Sequence, residues 1–131
     1  MIKTIFMFHA IGEVSKDDWA DSHYSYGKDK FKELLNKLGQ VSSLYDSVEL
    51  SSDAAAIFTF DDGHVSNYWA AKLLFDGGYG TADFFINPEL IGSDYYMDWN
   101  QIRELKSMGM SIQSHGLDHQ NLSSCNDNEL N

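Results

Sequence analysis

Five short apolar runs, separated by stretches of helical period, decide what this chain can become. The runs are Thr4 to Phe8, Val41 to Tyr45, Ala56 to Phe60, Ala82 to Ile86 and Met110 to Ser114. Between the first two, Phe31, Leu34, Leu35 and Leu38 recur at the spacing of one helix face, and Gly39 follows where a helix would stop. Ser66 to Phe75 carries Trp69, Leu73 and Leu74 on one side and is closed by Gly77-Gly78. A third helix is expected from a cap at Asp98 through Ile102, Leu105 and Met108 to Gly109. Strand and helix in alternation predict βα units and a mostly parallel sheet with helices packed on it. Thr4 to Phe8 is expected as a buried first strand, Val41 to Tyr45 as a short strand, and Ser47 to Asp53 as turn and loop.

The 131 residues suffice for a single domain, residues 1–131, and fall short of the about 200 or more that a complete α/β barrel takes. Apolar residues make up 43% and aromatics 14%, which excludes a disordered chain. Nine Lys plus Arg against twenty Asp plus Glu give a net charge of −11. That field repels phosphate backbones and anionic lipid, so neither nucleic acid nor a membrane surface is an expected partner. No apolar stretch approaches the roughly eighteen residues of a membrane span. The run Ile5 to Phe8 is interrupted by His9 before it reaches signal-peptide length. As written, the sequence implies a cytoplasmic protein; a preceding signal would make it extracellular or part of the cell envelope. The single cysteine, Cys125, excludes an internal disulfide.

Two of the runs end in chemistry. Thr59-Phe60 leads into Asp61-Asp62-Gly63-His64, and Gln113-Ser114 leads into His115-Gly116-Leu117-Asp118-His119. In parallel α/β folds, residues just past the carboxyl ends of strands share one rim, where ligands bind. Adjacent carboxylates on an extended backbone point to opposite faces, but a turn at Gly63 brings both towards one cavity. One can then ligate a metal while the other takes a proton. Alone, Asp-Asp-Gly is equally a polar turn. Two histidines four apart can converge on one ion, and alone they are as readily surface residues. Together, Asp62, His115 and His119 make a two-histidine, one-carboxylate set with positions left for water and a substrate oxygen. His9 ends the first run and His64 follows Gly63. Each is a candidate substrate or supporting contact, or alternatively a hydrogen-bonded core or loop histidine.

These segments resemble the polysaccharide deacetylases, the carbohydrate esterases of family four. Thr59-Phe60-Asp61-Asp62-Gly63 is similar to their first motif, and His115 to His119 to their second, His-x-x-x-His. The flanks agree in Phe8-His9-Ala10-Ile11, in Thr81 to Ile86 and in Trp99 to Gly109. The resemblance implies a deformed β/α barrel, present here in part, and hydrolysis of N- or O-acetyl groups on a glycan. It implies Asp62, His115 and His119 as ligands of a divalent metal, zinc before cobalt, nickel or manganese, with Asp61 as general base. The family's hydroxyl after the first histidine of the second motif is replaced by Gly116. Its later motifs, which supply an arginine, aromatic groove walls and a histidine acid, are not among these residues, so catalysis is expected to be impaired. The alternative is a metal- or glycan-binding module without turnover; a hydrolase of a non-sugar amide is a third reading. Part of a barrel exposes a strand edge and an apolar face, from which homodimerisation or other self-association is expected.

Overall fold

A computed structural model describes residues 4–18, 22–49 and 53–129. Its main sheet contains β1 (Thr4–Phe8), β4 (Val41–Ser42), β5 (Ala56–Phe60), β6 (Asp83–Ile86) and β7 (Ser111–Ser114), every pair of them parallel. β2 (Ala10–Ile11) and β3 (Ser25–Tyr26) form a separate parallel pair. The helices are α1 (Lys28–Leu38), α2 (Leu44–Glu49), α3 (Ser66–Asp76) and α4 (Trp99–Ser107).

The alternating strand pattern sorts the sheet into two unlike faces. On one face, pairing aligns Phe8, Phe60, Phe84 and Ile112 in a row, with Phe6 beside Phe58 below it. Phe31 and Leu35 of α1, Ala70, Ala71 and Leu74 of α3, and Ile102 and Leu105 of α4 join this row in one core. Phe60 lies flat on Phe84 at 4.8 Å, and Phe8 meets Phe31 edge-on at 5.3 Å. Phe31, Phe58, Phe60 and Phe84 are fully buried, which stabilises the fold by roughly 1.5–3 kcal/mol for each ring.

The opposite face accounts for one difference from the sequence reading. In β1, Phe8 faces the helix-covered core and is buried, while Ile5 and Met7 point to the opposite face and stand 57% and 62% exposed. Apolarity alone does not separate such a strand from one buried on both faces.

A second difference lies after β4. The strand is only two residues long, and the segment expected to continue it and then to loop forms α2 instead. The switch is enforced by buried Asp83, whose Oδ2 accepts from Leu44 N at 2.5 Å, and by Asp46, whose carboxylate accepts from the Thr81 hydroxyl. Residues 50–52 of the expected loop lie outside the described residues. β4 is wedged beside β5, where Val41 pairs with Ala56, and it also bridges Gly80 just ahead of β6. The carboxyl end of β5 therefore pairs with the amino end of β6 alone, at Thr59–Asp83 and Phe60–Phe84. At Gly80 a Cβ would fall 2.0 Å from the Val41 carbonyl oxygen, and φ is +122°, so only glycine fits.

The helices begin and end as their sequences require. Asp98 and Gln101 form a reciprocal capping box at the start of α4, and Gly39 closes α1 at a φ of 74°. The buried stripe of α3 is Asn67, Ala70, Ala71 and Leu74, with Trp69 and Leu73 half-buried at its margin. Small residues in that stripe let the helix lie close to the phenylalanine row.

Candidate metal centre

β5 and β7 are separated by β6, yet both deliver their last residues to one place on the rim. Asp62 Oδ1 lies 3.3 Å from His115 Nε2 and 3.2 Å from His119 Nε2. One donor atom from each of the three residues falls within 4.8 Å of the other two. Asp62 Oδ1 is buried and has no hydrogen-bond partner among the described residues. A buried carboxylate oxygen left without a donor is costly. Two imidazole nitrogens and one carboxylate oxygen pointed at a common position fit a divalent cation that leaves coordination sites open.

The local backbone is bent to achieve this convergence. Asp62 has a φ of 72° and Gly63 of 77°, so the turn expected at Gly63 begins one residue earlier. A left-handed aspartate is among the less costly exceptions to the steric rule. His119, at φ 61°, is left-handed as well, and among the described residues Tyr95 is a further non-glycine case. Strained residues persist only where their surroundings over-determine them, and the surroundings do so here. Val65 N donates to Tyr95 O at 2.7 Å and Met97 N to Gly63 O at 3.0 Å, strapping residues 95–97 against the Asp61-Asp62-Gly63 turn. At Gly63 a side chain would press on Ile86 Cδ1 at 3.1 Å. The loop from His115 to His119 is tied by a main-chain bond, Glu89 N donating to Leu117 O at 3.1 Å.

Asp61 stands beside this cluster, its N–H donating to Phe8 O at 2.8 Å. Burial holds its carboxyl above the ordinary carboxylate range. His115 and His9 oppose that rise, Asp62 adds to it, and His119 opposes it. His9 Nε2 is 4.0 Å from Asp62 Oδ2, on the side of the carboxylate away from the histidine pair's shared oxygen. Its ring also leans on the exposed Tyr24 at 5.2 Å.

His64 has a different setting. It is 6% exposed, with Nε2 2.8 Å from Asp18 Oδ2 and Nδ1 2.7 Å from Ser66 Oγ. Because Ser66 N also donates to Nδ1, the ring's own proton sits on Nε2, facing Asp18. Ser66 Oγ in turn accepts from Ile11 N at 2.8 Å. The Asp18–His64–Ser66 chain thus fastens the loop after β2 to the start of α3, at the wall of an open cleft that also includes Gly12, Lys28 and Tyr95.

Sequence reasoning missed two buried asparagines beside the histidines. Asn67 Nδ2 donates to His9 O at 2.6 Å, and Asn87 Nδ2 donates to His115 O. The sequence-level trace of Asn67 is a polar side chain within the apolar stripe of α3.

With this geometry in view, the likeness to known proteins is informative. Residues 50–131 match the family described as polysaccharide deacetylase. The chain is 27% identical over 120 residues to the Bacillus subtilis (strain 168) protein named "Putative polysaccharide deacetylase YxkH", covering 88% of this chain and 42% of the relative. It superposes on a Streptococcus pyogenes deacetylase, PplD, solved in complex with acetate, with a TM-score of 0.74 and 25% identity over 95% of this chain and 60% of that one. A polysaccharide deacetylase from Bacillus cereus gives a TM-score of 0.75 at 20% identity, over 95% of this chain and 42% of that one. The chain spans about two fifths of the curated relative's length, and its mostly parallel α/β fold corresponds to part of those barrels.

Proposed function

The chain belongs to the polysaccharide deacetylase family, and from that premise we propose that it serves metal-dependent removal of acetyl groups from an N- or O-acetylated glycan. The observation that carries the proposal is the convergence of His115 Nε2 and His119 Nε2 on the buried Asp62 Oδ1, which accepts no hydrogen bond among the described residues. Asp62, His115 and His119 would hold the divalent cation, zinc first among the candidates. Such a cation supplies Lewis acidity, lowering the pKa of water and polarising an acyl carbonyl.

The remaining work falls to the chain's own groups. Asp61 accepts the proton of the attacking water. Its carboxyl is raised by burial, which brings it nearer the pH at which a general base is most effective. His9 contributes an N–H to the substrate side of the same cavity; its support is the 4.0 Å approach to Asp62 Oδ2 and its partial exposure. His64, held by Asp18 and Ser66, keeps the loop after β2 in place beside the turn rather than taking part in proton transfer. Self-association is part of the same proposal, supported by the β1 edge and the exposed Ile5 and Met7. Sedimentation of a strictly monomeric chain at high concentration would remove it.

The test is hydrolysis of an acetylated chitooligosaccharide and of a small chromogenic acetyl ester, with zinc or cobalt added and with metal chelated. Asp61→Asn should retain metal and lose about 10²–10⁴-fold in turnover; undiminished turnover refutes Asp61 as base. Metal retained by the unsubstituted chain without any turnover would instead indicate a metal- or glycan-binding module.

A further inference from the structure

Asn67 and Asn87 are both fully buried, and in each the carboxamide Nδ2 donates to the main-chain carbonyl of a histidine delivered by a neighbouring strand. Asn67, in the first turn of α3, reaches His9 just past β1. Asn87, just past β6, reaches His115 just past β7. The Oδ1 of each has no hydrogen-bond partner among the described residues. A buried amide oxygen without a donor is unfavourable, so neither asparagine is accounted for by satisfying its own side chain. What both achieve is to fix one carbonyl, and the orientation of each amide follows from that, because a carbonyl can only accept.

The two carbonyls matter because of where they lie. His115 N already donates to Ile86 O at 2.8 Å, so the bond from Asn87 pins the second side of the same residue. His115 then leaves β7 in one direction, although its ring is partly exposed just past an edge strand. His9 lies between β1 and β2, where Ile11 N is taken by Ser66 and His9 O by Asn67. One turn of α3 therefore holds both ends of that short segment.

We propose that Asn67 and Asn87 are positioning residues, each aiming one histidine at the Asp62 carboxylate from the adjoining βα unit. The inference rests on the proposed role of the Asp62, His115 and His119 cluster, and it divides the labour. Asn87 acts through a candidate ligand, and Asn67 acts through a histidine outside the ligand set.

That division makes the inference testable. The imidazole signals of His9, His115 and His119 are followed by long-range proton–nitrogen NMR in the metal-free protein and its Asn67→Ala and Asn87→Ala variants, and zinc affinity is then measured by competition with a chromophoric chelator. Asn87→Ala should shift and broaden the His115 ring signals, leave those of His9 in place, and weaken zinc binding about 10- to 100-fold. Asn67→Ala should do the converse to the rings and leave zinc affinity within about twofold, the same principle applying to a contact that supports no ligand. Should either variant unfold, Asn→Ser at the same position is read in the same way, since it leaves less of a cavity than alanine. Variants that disturb all three rings alike, or none, overturn the inference. An unsubstituted chain that binds no zinc refutes the metal reading alone, because the ring signals still report on the asparagines without metal.

Discussion

β5 and β7 supply the same cluster from opposite circumstances. β5 lies between neighbours on both sides, all but Thr59 of its residues are buried, and it ends in a left-handed Asp62 strapped by residues 95–97. β7 is an edge, its Gln113 and Ser114 exposed, and its two histidines ride on a loop tied at Leu117 and His115. The carboxylate is thus held by the core and the imidazoles by the margin. Rigidity on one side leaves the other free to adjust to an ion's preferred distances, at the cost of a histidine loop that depends on few bonds.

The sharpest test of this contrast is mechanical. Phe60→Ala should cost about 3–5 kcal/mol in urea unfolding, as expected for a deeply packed ring. Ile112→Ala, on the half-buried edge, should cost roughly 1–2 kcal/mol, because less apolar surface is lost from burial. Equal losses would break the comparison. Zinc should act on the margin. At a hundredfold excess over its dissociation constant it stabilises by about 2.7 kcal/mol, and hydrogen exchange should slow most across residues 115–125 and least in β5. Uniform slowing would mean that the histidine loop is as firmly set as the core.

A smaller effect concerns the strap. Burial, with Asp62 and then Asp18 adding to it, pushes the Tyr96 phenol up to about 12. An unfolded chain ionises the same group near 10. The neutral phenol's stabilisation is therefore complete below pH about 10 and is lost as the pH climbs towards 12. Tyr96→Phe should remove that part of the alkaline decline in melting temperature; an unaltered decline would refute it. The smallest expected change is at the other edge. Ile5→Ser and Met7→Ser should each shift stability by no more than about 0.5 kcal/mol, and a larger loss in either would show that this face is covered in solution.

Much of this was legible in advance, for physical reasons. The runs ending at Phe60 and Ser114 announced parallel strands, and the chemistry of a parallel sheet collects past its carboxyl ends. The nearness of Asp62 to His115 and His119 was therefore expected without coordinates; their roles, and that of Asp61, are part of the proposal. Three features were not legible. The exposure of β1 depends on what lies across the sheet, which apolarity does not encode. α2 is too short for its period to be read, and it is set by Asp83 from far along the chain. Asn67 and Asn87 gain meaning only from carbonyls 58 and 28 positions away.

The crowding at Gly80 has an outcome for anyone who surveys every substitution in this protein. Position 80 should reject all nineteen alternatives as firmly as any ligand does, although it sits at the foot of the sheet, the end remote from the rim, against the Val41 carbonyl. Intolerance on such a map will mark two different things, the place where the proposed ion would be held and the place where two backbones nearly touch. Only the first should recover when the lost side chain is replaced by another donor.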